Sequence, residues 1–245
     1  MHRYFLQLSY KGTRYFGWQR QPNAITVQEV IEKALSTVLR EEIAVVGAGR
    51  TDTGVHALFF VLHFDVSVEI QEPEKLVYHL NQFLPDDIAI QKIKKVNNDF
   101  HARFSAVSRT YKYYISTEKN PFRTESCFQY TVPLDVEKMN DAALVLFEFT
   151  DFTSFSRLHS DVKTNNCKIS LAEWKPDNNQ LVFTIKADRF LRNMVRAIVG
   201  TLFEVGKGKI TIEDFRKIIE KQDRRAAGTS APAHGLFLVD IEYNA

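Results

Sequence analysis

Cysteine is scarce in this sequence. Cys127 and Cys167 are the only two, they lie far apart, and neither has a C-x-x-C partner. They suggest neither a disulfide framework nor a zinc site, and they fit reduced thiols in a cytosolic protein. Long apolar runs are missing too: none approaches the roughly 18 residues that a membrane-spanning helix needs. Met1-His2-Arg3-Tyr4 carries no signal-peptide hydrophobic region, so a cytoplasmic location without membrane attachment is expected. Charge of one sign is not in large excess. A net charge of +2 does not by itself announce nucleic acid. Low-complexity segments and linkers longer than an ordinary loop are absent as well.

What is present is a chain of 245 residues, 44% hydrophobic, enough for one large domain or two small ones with an ample core. Charge distribution says more than total charge. Arg3, Lys11, Arg14, Arg20, Lys33 and Arg40 face only Glu29 and Glu32 in the first forty residues, and residues 186–225 also hold more bases than acids. Basic patches on a near-neutral chain can bind phosphates on one face. For residues 207–225 alone, solvated helix surface is the better reading.

Periodicity sketches the elements. Tyr4, Leu6, Leu8 and Tyr10 alternate as a strand over 3–10, and a loop with Gly12, Gly17 and Pro22 follows. Thr26 and Glu29 have capping-box spacing ahead of a helix whose apolar residues run from Val27 to Leu39. Strands are expected at 43–46, 57–66 and 88–95, and a helix from Pro73 with Leu76, Val77, Leu80 and Phe83 inward. In the second half, 109–117 reads as a strand with Tyr111, Tyr113 and Ile115 on one face. Asp135 caps a helix to about Phe147. Residues 169–175 and 181–187 read as a hairpin around Pro176–Asn179, 190–205 as a strongly apolar helix ending near Gly206, 212–221 as another helix, and 236–243 as a final strand. Strand and helix thus recur twice. The expectation is an α+β protein of two similar lobes, 1–100 and 101–245, with a cleft between them suited to a large ligand.

The densest chemistry lies at Gly47-Ala48-Gly49-Arg50-Thr51-Asp52-Thr53-Gly54-Val55-His56-Ala57. Gly49 and Gly54 have P-loop spacing, but Val55 and His56 stand where Lys and Ser/Thr are required. A dinucleotide fingerprint needs a glycine where Asp52 stands. Asp52-Thr53-Gly54 is also the tripeptide of aspartic proteases. Those need two such carboxylates sharing a proton, and this chain has one. An Asp-x-Gly turn is the plain structural reading, yet the flanking glycines, Arg50 and His56 exceed what a turn requires.

This loop resembles the G-x-G-R-T-D-x-G-V-H-A signature of the TruA-type tRNA pseudouridine synthases. Five further segments resemble that family in order: Tyr10-Lys11-Gly12-Thr13 with Phe16-Gly17-Trp18-Gln19-Arg20-Gln21; Arg109-Thr110-Tyr111-Lys112-Tyr113; Asp151-Phe152-Thr153-Ser154-Phe155; Phe190-Leu191-Arg192-Asn193-Met194-Val195-Arg196; and Ala231-Pro232-Ala233-His234-Gly235-Leu236. Lys11 departs from the family's usual Asp, which touches a local loop contact. Arg157 to Cys167 looks subgroup-specific and receives no role.

The resemblance implies the pseudouridine synthase fold, two lobes sharing a mostly antiparallel central sheet with helices outside. It implies isomerisation of uridine to pseudouridine at nucleotides 38–40 of the tRNA anticodon arm, without cofactor or metal, by a homodimer. It makes Asp52 the essential carboxylate, Arg196 its ion-pair partner, and Tyr111 the ring that stacks on the uracil and assists loss of the C5 proton. Flipping the base out costs roughly a few kcal/mol; Arg50 fits that step, contacting a phosphate or filling the vacated space, with a structural loop contact as its alternative. Leu236 is matched to an apolar contact beside the base. Arg14, Gln19, Arg20 and Gln21, interleaved with Phe16 and Trp18, suit the RNA backbone, although the same aromatics could simply fold this loop over the core. His56 reads as structural. A non-catalytic tRNA-binding protein on the same scaffold is the alternative.

Overall fold

The computed structural model describes residues 1–157 and 164–244. Most of the Arg157–Cys167 stretch lies outside the described residues. The chain is α+β with mostly antiparallel strand pairing, and it divides into two compact units: Met1–Val107 with Leu238–Ala245, and Ser108–Phe237.

In the first unit, strands β1 (His2–Tyr10), β2 (Val45–Gly47), β3 (His56–Val66) and β4 (Ile88–Lys95) accompany helices α1 (Val27–Leu39) and α2 (Pro73–Phe83). β1 lies between β4 and β3, and β2 pairs with Leu62–Phe64 in the later half of β3. Antiparallel register sets Tyr4 opposite Phe64, Leu6 opposite Leu62 and Leu8 opposite Phe60. Every second side chain therefore shares one buried face, where Val27, Ile31 and Leu35 of α1 and Leu76 and Leu80 of α2 are also buried. Thr26 accepts from the Glu29 N–H, so one half of the expected capping box is present. The full reciprocal box forms instead at Thr211 and Asp214. Phe83 is a correction: it is 48% exposed. The helix ends at Phe83, and the extended Leu84 takes the buried place.

The other face of β1 and β3 carries Arg3 opposite Asp65 and Phe5 opposite His63. Arg3 grips Asp65 through two bonds of 2.8 Å and donates its remaining amine to the carbonyls of Asn98 and Phe100. His63 is buried, and its Nδ1 accepts the Ala102 N–H at 3.1 Å, which requires that nitrogen unprotonated. Burial, with Arg3 and His101 nearby and Asp65 opposing, holds its pKa down to about 4. An unfolded histidine takes its proton near pH 6.5. The unfolded chain thus gains a proton first as pH falls, and stability present above about pH 6.5 drains away toward pH 4. We expect His63→Gln to flatten part of the acid limb of a stability-versus-pH curve, by up to about 3 kcal/mol, as measured by urea titrations between pH 7 and 4. An unchanged acid limb would refute that expectation.

The second unit contains β5 (Ala106–Ser116), β6 (Phe128–Gln129), α3 (Val136–Leu144), β7 (Ile169–Asp177), β8 (Gln180–Ala187), α4 (Met194–Gly206) and α5 (Ile212–Glu220); β9 (Leu236–Tyr243) begins in it and continues into the first unit. β8 lies between β5 and β7, joined to β7 by a two-residue turn whose Asn178 has φ +53°. Asparagine tolerates that left-handed region. β6 is a two-residue parallel partner of β5. Asp135 caps α3 by accepting from the Lys138 N–H, and a tighter helical turn, Val145–Glu148, completes the length expected to Phe147. Asn140 clips α3 to β7 through both the N–H and the carbonyl of Trp174. α4 starts at Met194 rather than 190 because Asn193 adopts φ +66°. Almost every α4 side chain is buried, as its unbroken apolar run dictates.

Candidate active site

The glycine loop is an irregular bridge between β2 and β3, and the N-terminal loop holds it. The Trp18 N–H donates to the Thr51 carbonyl at 3.2 Å, and the Gly54 N–H donates to the Tyr15 carbonyl at 3.4 Å. The Tyr10 hydroxyl and Thr51 Oγ1 share a buried hydrogen bond of 2.8 Å. The Val55 N–H closes a turn on the Asp52 carbonyl at 3.1 Å. His56, fully buried, accepts the Gly12 N–H on Nδ1 at 2.9 Å, in line with a structural role. The two loops approach so closely that a Cβ on Gly12 would stand 2.0 Å from the Val55 oxygen. Gly17, at φ +88°, touches the Thr51 carbonyl in the same way. Buried Trp18 stacks on Phe60 with centroids 4.1 Å apart, so the contact surface is anchored in the core. Asp52 is half-buried on this loop, and Arg50 and Thr53 are exposed.

Arg14, Gln19, Arg20 and Gln21 are exposed, and the side chains of Arg14, Arg20 and Gln21 already have partners in the protein. Arg14 Nε donates to Asp87 at 2.8 Å, and the Tyr15 hydroxyl donates to the other Asp87 oxygen at 2.6 Å. Burial and that bond push the Tyr15 phenol pKa up. Arg20 pairs loosely with Glu32 at 3.5 Å, and Gln21 donates to the carbonyls of Phe16 and Gln19. The folding of this loop over the core is therefore observed: Tyr15 and Trp18 are its buried anchors, and Phe16 is 54% exposed.

In the second unit, Tyr111 is half-buried on β5 with its ring edge-on to Phe190, centroids 5.2 Å apart. Arg196 projects from the first turn of α4. Its Nε donates to the Ala231 carbonyl at 2.7 Å, and the Ala231 N–H donates back to the Arg196 carbonyl at 2.9 Å. The segment 227–232 lies along α4 as a strap. The Gly228 N–H donates to Thr201 Oγ1, and the buried Tyr113 hydroxyl donates to the Pro232 carbonyl at 2.9 Å. Leu236, buried, opens β9 just beyond it. Gly235 leaves room for Tyr113, whose ring would lie 2.7 Å from an added Cβ. Burial pushes the Tyr113 phenol pKa up.

The D-F-x-x-F segment proves architectural. The Ser154 hydroxyl, fully buried, donates to the Ile218 carbonyl at the end of α5 and accepts the Asp223 N–H. The residues that sequence reasoning missed are mainly those that hold others: Tyr10 and Thr51 in the first unit, and Asn193, Arg224 and Ser230 in the second. Residues 207–225 were read as solvated surface. That holds for Lys209, Lys217, Lys221 and Arg225, all exposed, and fails for Lys207, Arg216 and Arg224, which are partly buried. A cavity of about 310 Å³ lies beside β6, lined by Glu118, Arg123, Cys127, Phe128 and His234 among others, and none of the sequence-predicted site residues lines it. Among the described residues no group of three or more His, Cys, Asp or Glu side chains is arranged to hold a metal ion, and no helix is long and apolar enough to cross a membrane.

Comparison with known proteins matches residues 8–105 and 149–244 to the tRNA pseudouridine synthase family. The chain is 58% identical to the tRNA pseudouridine synthase A of Bacteroides fragilis, an alignment covering 99% of this chain and 97% of that protein. It is 55% identical to that of Porphyromonas gingivalis, over 99% and 98%. With the enzyme of Thermoanaerobacter pseudethanolicus it shares 43% identity, over 99% and 100%. The chain belongs to the tRNA pseudouridine synthase family. Its class is therefore that of an RNA-modifying isomerase.

Proposed function

We propose that this protein converts uridine to pseudouridine at positions 38–40 of the tRNA anticodon arm, acting in the cytoplasm as a homodimer without a cofactor. The observation that carries this reading is near-complete alignment with synthases of that name at up to 58% identity. The bond between ribose C1′ and uracil N1 breaks, the base turns in place, C5 bonds to C1′, the C5 hydrogen leaves as a proton, and the freed N1 takes one up. Nothing is oxidised or reduced. Asp52 serves as the ionised carboxylate of the reaction, with Arg196 as its counter-cation. Tyr111 stacks on the uracil, Leu236 packs beside it, and Arg50 assists extrusion of the base from its stack. Arg14, Gln19, Arg20 and Gln21 contact the RNA backbone, and Arg14, Arg20 and Gln21 do so by exchanging their present partners for phosphate. The weak 3.5 Å pair of Arg20, exposed on the arginine side, favours that exchange.

The test uses tRNA transcripts tritiated at uracil C5, with uridine replaced by cytidine at 38, 39 and 40 singly and together. Tritium release that falls with each replaced target and vanishes in the triple variant is expected. Undiminished release from the triple variant would refute the positions. Tight filter binding without any release would favour the non-catalytic RNA-binding reading, and sedimentation of the protein as a monomer would remove the dimer.

A further inference from the structure

Arg224 begins a short helical turn, Arg224–Ala226, after α5. One of its terminal amines donates to the carbonyls of Ala227 and Gly228 at 3.4 and 3.1 Å, and the other donates to Ser230 Oγ at 2.9 Å. Among the described residues its partners are thus neutral oxygens alone, within one six-residue strap. Burial lowers its pKa from the ordinary arginine value. A partly buried guanidinium without a carboxylate is a costly way to stabilise a loop. What it supplies is geometry: a planar fork reaches three oxygens at fixed angles, where lysine offers one mobile point.

The same Ser230 oxygen accepts a second donor, Asn193 Nδ2 at 2.7 Å. Asn193 stands at the N-cap of α4 and uses its side chain on Ser230 instead of capping its own helix. Ser230 is therefore fixed from both sides. The next residue, Ala231, is the one that takes Nε of Arg196 at 2.7 Å and returns its own N–H to the Arg196 carbonyl. With Nε committed to it, Ala231 is one fixed point that the Arg196 guanidinium must meet.

We propose that Arg224 is a positioning residue for the isomerisation: it fixes Ser230 and Ala231, and through Ala231 it orients the Arg196 guanidinium. This rests on the reading of Arg196 as part of the reaction. Removing the fork lets the strap shift on the scale of an ångström, a displacement that costs about 100-fold when it reaches reacting groups.

The experiment compares Arg224→Met, Arg224→Lys, Ser230→Ala, the Arg224→Met/Ser230→Ala double variant and Arg196→Met in single-turnover tritium release, alongside thermal melts. Arg224→Met is expected to lower kcat by about 30- to 100-fold with KM for tRNA within about twofold. Arg224→Lys should recover part of the loss, and the double variant should be no worse than Arg224→Met, because both act on one contact. Unchanged kcat in Arg224→Met, or a loss confined to KM, would overturn the proposal. A kcat loss that disappears well below a lowered melting midpoint would make Arg224 merely structural and overturn it too. Wild-type turnover by Arg196→Met would remove the underlying reading of Arg196. An inactive Arg196→Met beside an unimpaired Arg224→Met would overturn this inference alone.

Discussion

Asp52→Asn is expected to cut tritium release by at least about 10⁴-fold, with tRNA affinity within about threefold of wild type. Asparagine matches aspartate in shape but can serve neither as an anionic nucleophile nor as a base. The loop around it is held by groups other than the carboxylate as well. Thr51 is held through its carbonyl by Trp18 and through its hydroxyl by Tyr10, and the Gly54 N–H is tied to Tyr15. The turn at Asp52 is closed through its backbone carbonyl. The substitution removes the negative charge while those contacts remain, and 10⁴-fold corresponds to about 5.5 kcal/mol of transition-state stabilisation. Binding follows another rule. Affinity for RNA comes chiefly from cations on phosphates, and losing a carboxylate removes no cation. Filter binding across a salt series should give the same slope for both proteins. Release by Asp52→Asn within tenfold of wild type would take Asp52 out of the reaction.

The legible parts of this fold were those written in local periodicity. Alternation in Tyr4–Tyr10 and in Tyr111–Ile115 gave β1 and β5, because one face of each is buried. The apolar spacing after Thr26 gave α1, and the turn-forming run Pro176–Asn179 marked the junction of β7 and β8. What stayed hidden depends on distant partners. β6 is two residues long and exists only because β5 offers it an edge. The late start of α4 depends on Asn193 turning its side chain to Ser230. Arg224 looks like any helix-end charge until the strap it grips is in place. The catalytic candidates were visible as a motif, but Gly12 and Gly17 acquire their purpose only when Val55 and Thr51 are seen against them. Gly49 differs from both: a Cβ there would meet nothing within 4 Å. The folded chain by itself gives no steric reason for that glycine.

Gly200→Ala is expected to be the most damaging single-methyl addition in the second unit. Helix propensity alone argues the reverse, since alanine in place of a mid-helix glycine gains about 1 kcal/mol. Here the added Cβ would stand 1.8 Å from the Thr229 carbonyl oxygen and 2.9 Å from its carbon. Both are backbone atoms, so no side-chain rotation relieves the overlap. The strap must lift from α4, breaking the Gly228 N–H bond to Thr201 and disturbing the two-way pairing of Ala231 with Arg196. Overpacking of this kind costs about 1–3 kcal/mol, and the lost hydrogen bonds about 1 kcal/mol each. The clash therefore outweighs propensity, and a fall in melting midpoint of roughly 5–10 °C is expected. Turnover should fall as well, even where the protein remains folded, because the displaced strap carries the partner of Arg196. Gly208→Ala separates strain from clash: its φ is +69° and nothing stands near its Cβ, so it should cost only about 1 kcal/mol of backbone strain and leave kcat unchanged. If Gly200→Ala melted no lower than Gly208→Ala and kept full turnover, the strap would be free to lift from α4, and Ala231 would not be what orients Arg196.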